Sequence, residues 1–223
     1  MRATIISNRR IGVYHQINIE VGELVSQIKP GNFIAISVGG ETSRMILRRA
    51  FAISRVNDRG SIELIISPFG SGSKWLCSQT EGAVLDVVTP LGTAFGIPTE
   101  PVTALLVGGG YGSAPLFSLA EALKARECRV DMLLGASTAS KIYAPLDGKR
   151  VVHSMTLVTE DASAGFQGRV TDLLEGKVTI PLIYALTSQN SSVDKLLTLV
   201  NKIIETANAT TEDKNNLFQE YQK

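Results

Sequence analysis

Cysteine is scarce: Cys77 and Cys128 are the only two among 223 residues, and they stand in unrelated contexts. Two thiols make neither a disulfide framework nor a four-thiolate metal cage, and small buried thiols are their ordinary reading. Histidine is as rare, with only His15 and His153, and neither stands in a triad setting or at a metal-ligand spacing. No metal site is therefore expected. Charge of one sign is missing too: 22 basic and 21 acidic residues leave a formal net charge of +1, no electrostatic footprint for nucleic acid or an anionic membrane. Polar residues break every apolar run before it reaches the roughly 20 residues that a bilayer span needs. With no charged-then-apolar leader after Met1, the expectation is a cytoplasmic protein without nucleic-acid or membrane partners.

What is present is a globular composition, 44% hydrophobic and 19% charged, long enough for one large domain or two small ones. Over residues 11–21 the apolar Ile11, Val13, Ile17, Ile19 and Val21 alternate with Tyr14, Gln16, Asn18 and Glu20, the period of a half-buried strand. His15, the exception on the apolar face, reads as a hydrogen-bonded structural residue. Further strands are expected at 33–38, 50–56, 61–67 and 84–88, separated by Pro30-Gly31, Gly39-Gly40, Asp58-Arg59-Gly60 and Glu81-Gly82. Short strands at that spacing predict a small antiparallel β-barrel.

After the proline-bearing stretch 96–101 the rhythm changes. A strand at 103–107 leads to Leu116, Leu119, Ala120 and Leu123, the stripe of a helix packed on a sheet. Strands at 129–134, 151–158 and 180–186, the segment 168–174 and a helix over 192–204 continue the alternation, which predicts an α/β domain with a mostly parallel sheet. The expected division is 1–98, 99–206 and a polar tail at 207–223, whose Thr210 and Asp213 are spaced like a capping box.

Three stretches carry chemistry. In Val107-Gly108-Gly109-Gly110-Tyr111-Gly112-Ser113-Ala114-Pro115 an apolar strand runs through glycines into a helix start, which brings backbone N–H groups and a helix dipole to one point. The spacing departs from G-x-G-x-x-G, because the third glycine would fall on Ser113 or Pro115. The acidic ribose ligand expected after the next strand is replaced by Ser137, Thr138 and Lys141, which suit a 2′-phosphate or a solvated turn. Taken alone, the glycines serve a nucleotide or only a tight turn. Arg48-Arg49-Ala50-Phe51-Ala52 offers guanidinium forks for phosphate and an aromatic wall for a flat ring, or else an ordinary edge strand with solvated arginines. Ile65-Ile66-Ser67-Pro68-Phe69-Gly70-Ser71-Gly72-Ser73 ends a strand in small residues before a helix, a second backbone cradle.

Arg49-Ala50-Phe51-Ala52, Gly70-Ser71-Gly72-Ser73, Pro90-Leu91-Gly92 and Gly108-Gly109-Gly110-Tyr111-Gly112-Ser113-Ala114-Pro115-Leu116, in that order, resemble the ferredoxin reductase superfamily. The most similar branch is the electron-transfer subunits of dihydroorotate dehydrogenase, which run R-P-x-S, G-x-G-T, G-P-L-G and G-G-G-x-G-x-A-P-L. The resemblance spans residues 30–172 and is extended by Thr159-Glu160-Asp161 and Gly168-Arg169-Val170-Thr171-Asp172. It implies an N-terminal flavin-binding barrel with FAD and a C-terminal nicotinamide dinucleotide domain. On that basis Arg49 would hold the FAD phosphates, and Ala50, Phe51 and Ala52 would border the isoalloxazine. Ile65, Ile66 and Ser67 would line the flavin, with Gly72 and Ser73 on the pyrophosphate. Gly108, Gly109, Gly110, Gly112 and Ala114 would face NAD(P)H, with NADH favoured.

Three departures stand out. Ala52 replaces a family serine at the flavin edge. Ile183-Tyr184-Ala185-Leu186-Thr187-Ser188 stands where the family has Y-A-C-G-P, so Leu186 replaces a cysteine near the nicotinamide. No cysteine follows Cys128, whereas these subunits end in a segment binding a [2Fe–2S] cluster through four thiolates; no iron–sulfur cluster is expected here. The resemblance implies passage of electrons from NAD(P)H through FAD to an FMN-containing dihydroorotate dehydrogenase subunit, in pyrimidine biosynthesis. A stand-alone NAD(P)H:flavin or quinone reductase, and a non-catalytic FAD-binding interaction module, remain open beside it.

Overall fold

The computed structural model describes residues 1–40, 45–57, 59–143 and 150–176. The chain opens with a hairpin of β1 (Arg2–Ile11) and β2 (Tyr14–Glu20), in which Ile11 pairs with Tyr14 across Gly12-Val13. Gly12 takes φ +62, the left-handed geometry that a two-residue hairpin turn places at its first position. The expected single strand over 11–21 is thereby corrected. β1 escapes notice because its outer half, Asn8-Arg9-Arg10, carries no apolar alternation, and the turn shifts the parity: Tyr14 is buried, whereas Val13 lies open on the turn. Ile17 and Ile19 are fully buried as expected. The His15 Nδ1–H donates to Asn8 Oδ1 at 2.9 Å, and burial and Arg10 hold the His15 pKa below the ordinary histidine value.

β3 (Phe33–Ile36), β4 (Arg49–Ala52), β5 (Arg55–Asn57), β6 (Ser61–Ile66), α1 (Ser71–Cys77) and β7 (Val84–Leu91) complete the first unit. Its seven strands form an antiparallel sheet in the order β4-β3-β7-β1-β2-β6-β5, around one core that includes Ile5, Ile17, Ile34, Leu64 and Leu85. The expected strand over 50–56 is two strands. β4 ends at Ala52, the buried Ile53 and Ser54 cross over, and β5 starts at the opposite edge of the sheet. Every residue of β6 is buried. Ile62, Leu64 and Ile66 face the barrel core, and Ile65 packs into the core of the second unit, so this strand is covered on both faces.

The second unit runs β8 (Thr103–Gly109), α2 (Ala114–Lys124), β9 (Arg129–Ala136), β10 (Ser154–Thr159), β11 (Phe166–Gln167) and α3 (Val170–Gly176). Its four strands are parallel, in the order β11-β10-β9-β8. Alternate residues part to two sides: Ala104, Leu106, Val130, Met132 and Leu134 pack with Phe117, Ala120 and Leu123 of α2, while Leu105, Leu133 and Val158 pack with Val170 and Leu173 of α3. Such continuous apolar strands are what a parallel sheet covered on both faces requires. The strand expected over 151–158 starts only at Ser154. His153 stands just before it and is tied to β9 by two bonds, its ring Nδ1 accepting from the Val130 amide and its own amide donating to the Val130 carbonyl. The segment 168–174 is largely α3. The expected strand over 180–186 with Leu186, the helix over 192–204 and the tail 207–223 lie outside the described residues.

Candidate functional site

Two clefts open where the antiparallel and parallel sheets meet. The first, of about 270 Å³, lies between β4 and the end of β6. Ala50, Phe51 and Ala52 form one wall, and Ile65, Ile66, Ser67, Phe69, Gly70 and Ser73 continue it toward α1. Tyr111, Gly112, Ala114 and Pro115 of the second unit close it. A wall of small and flat apolar groups suits a planar ring system. The cleft thus unites most residues that the resemblance allots to a flavin with two, Gly112 and Ala114, that it allots to the nicotinamide side.

Arg49 and Gly72 are placed against each other at the start of α1. A Cβ at Gly72 would stand 3.2 Å from Arg49 Cγ and 3.3 Å from its Nε, so the missing side chain lets the guanidinium stem lie beside the helix. Arg49 Nη1 donates to the Leu47 carbonyl at 2.9 Å. The Ser73 hydroxyl and the Gly70 backbone close the first turn reciprocally, Gly70 N–H donating to Ser73 Oγ at 3.0 Å and the hydroxyl donating to Gly70 O at 3.1 Å. First-turn amides have no acceptors within the helix. A guanidinium beside them is a donor set for an anionic group next to the flat apolar cleft, and a Cβ at Gly70 or Gly112 would meet nothing within 4 Å, which leaves room for a ligand at both. These residues fit a flavin carrying a pyrophosphate.

The second cleft, of about 440 Å³, sits at the carboxyl ends of β8 and β9, where open parallel sheets bind their ligands. Gly109 and Gly110 line it with Gly135, Ala136, Ser137 and Lys141; Glu160, Gly168, Arg169 and Val170 form its far side. Gly109 pairs with Gly135 in the sheet, so two adjacent strand ends present bare backbone. The glycines differ in what they do. Gly108 packs inward: a Cβ there would stand 2.7 Å from Ser113 Cβ and 2.8 Å from Leu116 Cδ1, so it permits α2 to approach the strand. Gly110 takes φ +51.

Charged groups on this cleft are mutually engaged. Lys141 Nζ donates to Ser137 Oγ at 3.0 Å, and Arg169 Nε lies 3.8 Å from Glu160 Oε1. Thr138 contacts the Ser163 hydroxyl, which with the Ser163 amide also donates to Asp161 and holds that carboxyl below its ordinary pKa.

Two residues that shape this joint, Tyr14 and Glu63, escaped the sequence reading as site residues. Tyr14 is buried beside Tyr111, ring centroids 5.8 Å apart and edge-on at 60°, and its hydroxyl donates to the Lys141 carbonyl at 2.7 Å. Glu63, also buried, accepts from Gln16 and, at 3.2 Å, from the Ser54 hydroxyl; Tyr143 of the second unit donates to the same oxygen at 3.5 Å. One carboxylate inside the apolar run Ile62-Glu63-Leu64-Ile65 was the available signal for this joint. Glu160 and Arg169, which extend the resemblance but received no role from it, are brought to Ser137 and Lys141 by the fold. Among the described residues no cluster of ligating side chains could hold a metal ion, and no helix is long and apolar enough to cross a membrane.

No family model matches the chain. It is 32% identical over 189 residues to the dihydroorotate dehydrogenase B (NAD(+)) electron transfer subunit of Geobacillus thermodenitrificans, covering 82% of this chain and 73% of the relative. The subunit of the same description from Fusobacterium nucleatum is 30% identical over 199 residues, covering 86% and 76%. Among solved structures, an NADH-dependent reduced ferredoxin-NADP oxidoreductase superposes with a TM-score of 0.71 at 25% identity, over 79% of this chain and 63% of that one. A ferredoxin NADP+ reductase from Neisseria gonorrhoeae with bound FAD and NADP shares the fold, with a TM-score of 0.62 at 17% identity over 79% and 76%. The antiparallel sheet followed by a parallel one is the ferredoxin-reductase-like architecture, and within it this chain belongs to the family of dihydroorotate dehydrogenase electron-transfer subunits.

Proposed function

We propose that the chain takes a hydride from NADH, in preference to NADPH, onto FAD held in the 270 Å³ cleft, and passes the electrons to an FMN-containing dihydroorotate dehydrogenase subunit. The observation that carries this reading is that the two clefts share walls, at Ser67 and Tyr111, so that ligands in both would meet there. FAD would supply the ability to accept two electrons as a hydride and release them to a partner.

The chain's own residues bind and orient. Arg49 and the first turn of α1, with Ser73, would hold the pyrophosphate. Ala50, Ala52, Ile65 and Ile66 would exclude water from the ring, and Gly109, Gly110 and Gly135 would let a dinucleotide backbone approach the strand ends. Ala52 brings no hydroxyl to the cleft, but Ser67, the residue after β6, does. Hydride transfer asks for no side-chain acid or base, and positioning of two ligands is the main demand on the protein. Preference for NADH is supported by the NAD(+) in the relatives' description. In this reading electrons leave by direct contact with the partner.

The test is the purified protein under anaerobic stopped flow. It should be yellow, or become so with FAD, and bleach faster with NADH than with NADPH. Arg49→Ala removes one charge-assisted contact worth about 1.5–3 kcal/mol, so FAD should bind roughly 10- to 150-fold more weakly. A protein that stays colourless with FAD refutes the reading. One that stays yellow with both reductants reduces it to a flavin-binding module.

A further inference from the structure

We propose that a third cavity, behind the hairpin of β1 and β2, is a binding site for a neutral single-ring heterocycle whose edge sets an N–H beside a carbonyl, as the base of a pyrimidine nucleoside does. Neither cofactor is assigned to this cavity, so the proposal stands apart from the reading of the two clefts.

The cavity measures about 360 Å³. Ile11, Gly12, Tyr14 and Gln16 of the hairpin line one side, and Ser140, Ile142 and Tyr143 of the second unit line the other. Tyr14 also borders the 440 Å³ cleft, and its hydroxyl donates to the Lys141 carbonyl, so a buried and tethered ring stands between the two spaces. None of the lining residues is charged. A phosphate or carboxylate would lose hydration there without gaining a cation, which argues for a neutral ligand. Two isoleucines and two tyrosines suit an apolar ring, and a volume at the small end of ligand clefts suits one ring with a sugar.

The group that reads the ring edge is the Gln16 amide. Its Nε2 donates to Glu63 Oε2, which fixes the nitrogen end of the amide. Among the described residues nothing else bonds to that side chain, so its second N–H and its carbonyl oxygen are left for a ligand. A ring edge with a donor beside an acceptor pairs with both, which is how glutamine reads a base edge. The Tyr143 hydroxyl donates to the other Glu63 oxygen at 3.5 Å, so the amide that reads the ligand and a tyrosine that walls it are anchored on one carboxylate. A ring bound here touches both units and braces them.

Titration calorimetry of the purified protein with uridine tests this. One molecule per chain should bind, with NAD+ present or absent, and should raise the melting temperature by mass action. 3-Methyluridine, in which a methyl group replaces the N–H, should bind at least about tenfold more weakly, because the Gln16 carbonyl is left without its donor. Gln16→Leu should lose uridine affinity by a similar factor. That variant also takes a donor from Glu63, so Ser140→Tyr is the second: it fills the cavity from an exposed position, leaves Glu63 untouched, and should abolish uridine binding at an unchanged melting temperature. Absence of saturable uridine binding, equal binding of 3-methyluridine, undiminished binding to either variant, or displacement of uridine by NAD+ overturns the site. None of these results bears on whether FAD and NADH occupy the two clefts.

Discussion

Gly108→Ala should destabilise the protein without touching a ligand directly. The added Cβ would stand 2.7 Å from Ser113 Cβ, 2.8 Å from Leu116 Cδ1 and 2.9 Å from Ser113 Cα. Relaxed carbon contacts lie near 3.5–4.0 Å, so about 0.8 Å must be found. Leu116 can turn away, but Ser113 cannot. It is 1% exposed, its hydroxyl donates to the Gly110 carbonyl at 2.7 Å, and it opens α2. The helix start must therefore lift from β8, loosening the packing of Phe117, Ala120 and Leu123, all within 1% of full burial. Overpacking of this kind costs about 1–3 kcal/mol. At this chain length each kcal/mol lowers the melting temperature by about 2–4 °C, so a fall of roughly 2–12 °C is expected in calorimetry or circular dichroism. Gly112→Ala is the control: its Cβ meets nothing within 4 Å, so it should stay within about 0.5 kcal/mol of the parent while weakening FAD binding, because that Cβ enters the first cleft. A Gly108→Ala protein of unchanged melting temperature that fails to bind nucleotide would refute the assignment and put Gly108 on the ligand.

Glu63→Leu should cost about 3 kcal/mol in urea denaturation, because Gln16, Ser54 and Tyr143 lose a buried acceptor; Glu63→Gln retains an acceptor oxygen and should cost less than half as much. Burial pushes the Cys77 thiol up to about 11 from 9.0, so in the native protein it should react only slowly with a disulfide reagent at pH 8 and freely once denaturant is added. Because the folded state keeps that proton longer than the unfolded one, its contribution to stability is complete below about pH 9 and disappears as the pH rises toward 11. Cys77→Ala should therefore flatten the alkaline limb of the stability profile; an unaltered limb would remove Cys77 as its source.

Much of the architecture was legible where side chains carry a period that burial enforces. The near-continuous apolar runs of β6, β8 and β9, and the Leu119–Ala120–Leu123 stripe of α2, name their environment directly, since only a covered strand or a helix on a sheet uses such patterns. β1 was not legible, because its outer half leaves the core and its polar residues look like a loop. Nor was the break after Ala52, because Ile53 and Ser54 are buried at a crossing between sheet edges rather than within a strand, and a buried crossing reads like a strand interior. At the site, Arg49, Phe51, Ser67 and Ser73 follow from motif order. What each glycine does depends on what stands opposite, and residues far apart in sequence decide that: Val170 against Gly135, Arg49 against Gly72. The meeting of Tyr14 with Tyr111, and of Glu63 with Tyr143, is likewise a matter of tertiary approach.

β6 carries a consequence for the chain as a whole. Its odd and even residues answer to different cores, Leu64 and Ile66 to one and Ile65 to the other, while Glu63 receives hydrogen bonds from both halves. A cut between β7 and β8 would sever a single covalent link, yet it would also uncover Ile65 and Tyr14 and leave a carboxylate short of a donor. The divide between antiparallel and parallel sheets is thus one of topology and not of cooperativity: the parallel half finishes the interior of the antiparallel half, and each is the other's missing layer.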